Sequence, residues 1–141
     1  MGDAMTTTKN ALIPALINFH QAVEPIRKQS RAQYGQFADL RTVLATITPP
    51  LLEQGLVLTQ TLEGQDLITT LRHVGGESIE SRCPLIEASG KNALHMWGAA
   101  VTYQRRYAIQ SLLCLAAEDD DGDSAGHKMK HANTASSDDF L

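Results

Sequence analysis

Two adjacent arginines, Arg105 and Arg106, stand inside the run Thr102-Tyr103-Gln104-Arg105-Arg106-Tyr107. Guanidinium groups stay charged at any physiological pH and present a fixed fork of donors to phosphate oxygens. A pair of them on one helix is suited to holding a polyanion. About a dozen residues further on comes a second concentration of charge, Glu118-Asp119-Asp120-Asp121-Gly122-Asp123. Carboxylates packed this closely bind a metal, pair with cations of another chain, or simply stay hydrated.

The metal option narrows on spacing. Asp119, Asp121 and Asp123 match the first ligand positions of a calcium loop. The position that needs glycine is Ser124, however, and the twelfth is Lys130 instead of glutamate, so an EF-hand is excluded. A looser magnesium site or nuclease-like carboxylate cluster stays open, although two-metal chemistry normally gathers acids from separate elements. A solvated charge run and an inter-subunit role for Asp119, Asp120 and Asp121 are the other readings.

The element that positions the arginines is a helix expected over about 93–117. At 100° per residue its apolar side is centred on Trp97, Ala100, Val101, Ala108, Leu112 and Leu115, flanked by Met96, Tyr103, Tyr107 and Cys114. Lys91, His95, Gly98, Thr102, Arg105 and Arg106 share the other side, which is expected to be solvated. Gly98 there costs about 1 kcal/mol of helix propensity and is expected to admit another backbone. The candidate phosphate-binding set is therefore Arg105, Arg106, Lys91 and Thr102, with Tyr103 and Tyr107 at its border as core or base-stacking rings. His95 has no partner at metal-ligand spacing on its helix.

Upstream, helical spacing of Leu12, Ile13, Leu16, Ile17, His20 and Val23 predicts a helix from Lys9 to about Ser30, bent or shortened at Pro25. Tyr34-Gly35-Gln36-Phe37 reads as a turn. A second helix begins near Asp39 as its cap, is interrupted at Pro49-Pro50, and resumes briefly until Gly55. Three strands follow, Leu56–Leu62, Asp66–Val74 and Glu77–Ile86, the first two joined by the hairpin loop Glu63-Gly64-Gln65. Alternation turns Leu56, Leu58, Leu67, Leu71, Ile79, Cys83 and Leu85 to a core. It leaves Thr59, Thr61, Thr70, Arg72, Glu80 and Arg82 on a wet face. Arg72 and Arg82 are candidate extensions of the anion track. The fold class is α+β: two N-terminal helices, a three-stranded antiparallel meander and a long helix. Residues 1–8 read as a disordered lead-in, 9–123 as one domain, and 124–141 as an acidic, polar tail.

With 141 residues, 43% of them hydrophobic and 20% charged, the chain has the composition of a single globular domain. Its formal charge of -4 is uneven. Residues 1–117 carry ten Lys/Arg against nine Asp/Glu, whereas residues 118–141 carry two against seven. Any anion site in the body must therefore be local. No apolar run approaches the roughly 18 residues of a membrane span, and no export signal is visible, so a cytoplasmic location is expected. Met1-Gly2 is a chance match to a myristoylation pattern. Cys83 and Cys114 lie far apart with no zinc spacing and read as reduced.

Four segments, taken together, resemble the Erf family of phage and prophage single-strand DNA annealing proteins. They are Tyr34…Phe37-Ala38-Asp39-Leu40, Pro49-Pro50-Leu51-Leu52-Glu53-Gln54-Gly55-Leu56, Gly98-Ala99-Ala100-Val101-Thr102-Tyr103-Gln104-Arg105-Arg106-Tyr107-Ala108-Ile109, and Glu118–Asp123. The resemblance covers roughly residues 9–125. It implies a β-β-β-α annealase core assembled into a ring or helical filament, with single-stranded DNA in a basic groove outside. The groove's basic residues would map onto Arg105 and Arg106, with Arg72 and Arg82 secondary.

The expectation is thus a homo-oligomeric protein that binds single-stranded DNA and the annealed duplex intermediate in homologous recombination, without ATP or any cofactor. It would be a remodelling protein and not an enzyme, with a host single-strand-binding protein or a phage exonuclease as further partners. The terminal Ser136–Leu141 has the acids and apolar end of a protein-docking tip, or is a plain solubilising tail. The rival readings are a metal-dependent nuclease using Asp119–Asp123, a double-stranded-RNA module with the same α-β-β-β-α order, and a structural oligomer. No P-loop, dinucleotide fingerprint or Ser-His-Asp set is present.

Overall fold

The structure, a computed structural model, describes residues 11–28, 30–32 and 35–117. The lead-in 1–8, the turn residue Tyr34, the acidic knot Glu118–Asp123 with Asp119, Asp120 and Asp121, and the tail 124–141 lie outside the described residues. In chain order the elements are α1 (Leu12–Ala22), β1 (Ser30–Ala32), β2 (Gly35–Phe37), α2 (Leu40–Glu53), β3 (Leu56–Glu63), β4 (Asp66–His73), β5 (Ser78–Pro84) and α3 (Ala93–Leu113). The class is α+β, as expected. The β3-β4-β5 sheet is an antiparallel meander in register Leu56↔His73 and Asp66↔Pro84.

Leu56 and Leu71 face one side of this sheet and pack with Phe19, Val43, Ile47, Leu51, Ile109 and Leu113 from the three helices. All three helices therefore cover one face. The other face keeps Val57, Thr59, Thr61, Arg72, Ser78, Glu80 and Arg82 exposed, and only the central-strand residues Ile68 and Thr70 are buried there. Cross-strand neighbours suffice to cover a residue in the middle strand.

Several local expectations are met. Asp39 caps α2, its carboxylate accepting from the Thr42 N–H at 2.8 Å. Gly55 ends the helix region with φ +70. Its carbonyl accepts from the Val74 N–H at 2.8 Å, tying the turn to the end of β4.

Other expectations are corrected. Helix α2 is not interrupted at Pro49-Pro50 but runs through both. Proline's fixed φ suits a helix, but each one loses a donor and crowds the carbonyl four residues back, a cost that packing must offset. Buried Val43, Ile47 and Leu51 on one stripe hold the turns together across the gap. Helix α1 stops at Ala22, short of Pro25, and Ile26 then forms a parallel bridge to Ala117. Its first N–H, on Leu12, finds an acceptor in the distant Glu77 carboxylate at 3.3 Å. The stretch expected as a turn before α2 contains a short ladder, β1 pairing β2 with Arg31↔Gln36. Helix α3 ends at Leu113, where Cys114 adopts φ 55, so the last helical turns expected to Ala117 are absent.

Gly55→Ala gives the clearest test of this frame. A methyl there meets Val74 Cγ1 at 3.0 Å in a conformation that L side chains rarely adopt. The variant should lose about 1–2 kcal/mol in urea unfolding, whereas Gly64→Ala, with nothing within 4 Å, should lose only the left-handed backbone cost.

Candidate nucleic-acid interface

Helix α3 is fixed against the sheet by two glutamine amides. From β3, Gln60 Nε2 donates to the Arg105 carbonyl and to Thr69 Oγ1, each at 3.0 Å. Arg105 Nε donates back to Gln60 Oε1 at 3.0 Å. From the helix, Gln104 Nε2 donates to the Pro84 carbonyl at 2.8 Å and, more weakly, to Cys83 Sγ at 3.3 Å. Its Oε1 accepts the Ile86 N–H at 2.8 Å. Consecutive helix residues therefore bond to opposite edge strands of the sheet, and the helix cannot rotate about its axis without breaking both sets.

That rotation differs from the one apolar periodicity indicated. The most buried positions are Gln104, Arg106, Ile109, Gln110 and Leu113, whereas Trp97 is 37% exposed and Met96 52%. Periodicity counts hydrocarbon, but polar side chains that satisfy their hydrogen bonds can take core positions. Arg106 is the sharpest correction: it was expected on the solvated side and is only 9% exposed. Its Nη1 donates to the Ala38 carbonyl at 2.9 Å and Nη2 to the Tyr107 hydroxyl at 3.3 Å. The guanidinium carbon lies 5.5 Å from the Tyr103 ring centroid and 4.9 Å from that of Tyr107. The two rings are 4.6 Å apart and tilted by 52°.

Arg105 is half-buried, and among the described residues nothing is bonded to its Nη1 and Nη2. Lys91 is exposed just ahead of the helix. Thr102 is exposed but turned onto its own helix, its hydroxyl donating to the Gly98 carbonyl at 3.1 Å. A methyl at Gly98 would meet nothing within 4 Å, so the close backbone approach expected there does not occur among the described residues. Arg72 and Arg82 stand on the sheet face away from α3 and do not share a surface with Arg105. Arg72 is exposed; Arg82 pairs with Asp66 at 3.3 Å and lies 3.9 Å from Glu63. The expected basic set thus divides into a helix side, Arg105 and Lys91, and an open-face side, Arg72 and Arg82.

Sequence reasoning missed the glutamines entirely. Gln60 and Gln104 are ordinary polar letters in the sequence, and only the register that places Gln60 opposite Thr69 beneath α3 reveals their role. Among the described residues no three His, Cys, Asp or Glu side chains group as metal ligands. No described helix is long and apolar enough to cross a membrane.

A family model described as the ERF superfamily matches residues 13–139, and the chain belongs to that superfamily. Membership points in general terms to phage recombination and strand annealing, and to association with DNA. Neither the curated proteins nor the solved structures contain a match to this chain.

Two outcomes follow for the helix. Replacing Gln104 by Ala strands the Ile86 N–H and the Pro84 carbonyl, and should cost about 1–3 kcal/mol in urea unfolding. The Tyr107 phenol is pushed above its ordinary value of 10.0 by its hydrogen bond with Tyr103 and by burial, against the pull of Arg106. A raised pKa means the fold favours the neutral phenol. That stability is complete below the unfolded value and is lost as pH rises through the folded one. Unfolding midpoints measured from neutral to alkaline pH should therefore fall more steeply for the native chain than for Tyr107→Phe.

Proposed function

We propose that this member of the ERF superfamily binds single-stranded DNA and anneals complementary strands without ATP, as a head-to-tail homo-oligomer. The observation that carries the reading is the first half of α3. Leu94 is 83% exposed and Trp97, one turn on along the same helix face, is 37% exposed, on a helix that continues into Arg105. A pair of large apolar side chains left in water on one helix face marks a surface made to be covered.

A second apolar patch, Leu52, Val57 and Val74, borders a cavity of about 440 Å³ with Gly55 and Arg72. It lies where Leu56 pairs His73, while α3 follows the end where Asp66 pairs Pro84. Two unlike patches at opposite ends of a sheet favour a heterologous contact, which propagates into a ring or filament. Assembly matters because residues 11–117 are close to electrically neutral. Only many copies aligning Arg105 and Lys91, with Arg72 and Arg82 from the open face as secondary contacts, add up to a groove for a polyphosphate. Backbone contacts supply affinity through counterion release and leave base pairing to supply specificity. Arg106 serves this groove indirectly, by fixing Tyr103 and Tyr107. The acids Asp119–Asp121 are assigned to contacts between protomers. Cytoplasmic action in a bacterial host, with a single-strand-binding protein or an exonuclease as partner, completes the reading.

The test is pairing of two complementary fluorescent oligonucleotides without ATP. The native chain should accelerate it, and Arg105→Ala/Lys91→Ala should reduce the acceleration on the order of ten-fold and flatten its salt dependence. In the same preparations, Leu94→Glu/Trp97→Glu and Val74→Glu should each be monomeric by light scattering. Their mixture, which restores one good contact, should stop at dimers. No acceleration by a folded, oligomeric native chain would sink the annealing reading; Mg²⁺-dependent cleavage would replace it with the nuclease.

A further inference from the structure

A cleft of about 510 Å³ opens between the β5 edge strand and α3, and the phosphate-binding set does not account for it. Tyr103 and Tyr107 form one side, and Ser81 and Cys83 of β5 form the other. Ser111 adds to the α3 side, and Arg82, whose side chain belongs to the opposite sheet face, reaches only the rim at the β5 edge. Its volume lies in the range of sites that take small planar ligands.

The two rings are unusual in being ordered and yet open. Tyr103 is 53% exposed and Tyr107 39%, although both touch the 9%-exposed Arg106. An exposed tyrosine pair ordinarily has rotamer freedom to lose on binding a ligand. Here Arg106 is tied to the Ala38 carbonyl, lies against both rings and bonds the Tyr107 hydroxyl, so that cost is already met in folding. The rings also touch each other at 4.6 Å. A cation against an aromatic ring polarises it, which suits the ring to stacking with another planar system.

We infer that this cleft is a nucleobase subsite, in which one unpaired base of a bound single strand stacks on the exposed face of one ring of the tilted Tyr103–Tyr107 pair, the other ring bracing it. The inference rests on the DNA-binding reading and adds to it a contact with the base itself. Arg82 bonds Asp66 through Nη1, and Glu63 stands 3.9 Å from Nη2. Arg82 is thus neutralised by two acids, and the subsite rests on its rings and not on charge. The hydroxyls of Ser81 and Ser111 add polar contacts that any base edge satisfies. Stacking is sequence-tolerant because every base has a π-face. One base per protomer would be turned into the sheet side, and its neighbours would stay available for pairing.

The experiment compares the intact chain on a labelled oligothymidylate and on an abasic strand of equal length and charge, by fluorescence anisotropy. The native chain should bind the thymidylate on the order of ten-fold more tightly than the abasic strand. Tyr103→Leu/Tyr107→Leu should abolish that preference at unchanged particle size, and Tyr103→Phe/Tyr107→Phe should restore it. Photocrosslinking of 5-iodouracil strands to the native chain, with no substitution to perturb folding, should place adducts on Tyr103 or Tyr107. Equal binding of both strands by the native chain, or adducts only elsewhere, overturns the subsite and leaves DNA binding standing. Binding of neither strand overturns the DNA reading and the subsite together. A change in particle size in the leucine variant would instead make the cleft a contact between copies, which also overturns the proposal.

Discussion

The amides of Gln60 and Gln104 set the rotation of α3 on the sheet, and which side chains of that helix meet water follows from this rotation. A helix docked by hydrocarbon alone can turn by tens of degrees at modest cost, because apolar contact is not directional. Hydrogen bonds from consecutive residues to opposite sheet edges remove that freedom. Each contributes only about 0.5–1.5 kcal/mol net, but leaving any of them unmade in a half-buried interface costs more. The register of β3 with β4 is drawn into the same constraint, since Gln60 also bonds Thr69 across the ladder. A shift of one residue would send Gln60 to the open face and release the helix.

Elements governed by alternation and turn chemistry were legible in the sequence. The strands followed from period-two patterning and from Gly64 and Gly75-Gly76, and the start of α2 from Asp39. The core residues Leu56, Leu67 and Leu71 fell on the face that alternation assigned to them. What stayed hidden depended on partners distant in the chain. Arg106 reads as a surface charge until the Ala38 carbonyl, across a separation of 68 residues, is seen to accept from it. The prolines of α2 read as a break until Val43, Ile47 and Leu51 are seen packed on either side of them. Trp97 and Met96 read as buried because they are apolar, yet among the described residues too little packs against them to cover them fully.

The last of these mismatches bears most on function. Sequence patterning records what a residue meets in the working state of a protein, whereas one isolated chain records only its intramolecular part. Apolar residues that look buried by pattern yet stand exposed on the folded protomer are therefore informative about assembly. On α3 they lie in the half N-terminal to the Gln104 tether, which no second layer covers among the described residues.

The paired arginines resolve into two physical roles. Arg106, desolvated and tied into the fold, has little left to offer a mobile ligand, because leaving its partners would strand the Ala38 carbonyl and uncover two rings. Arg105 spends one nitrogen on Gln60, which orients its guanidinium, and holds its remaining donors outward. A single oriented guanidinium is a weak phosphate site, and on the proposed reading weakness is required. An annealing protein must release the duplex it makes, so affinity has to come from repetition along an assembly, where contacts can be broken one at a time. A protomer body close to electrical neutrality, one arginine on its helix with unfilled donors and a pair of open rings near it satisfy that requirement; a strongly basic protomer would hold its product.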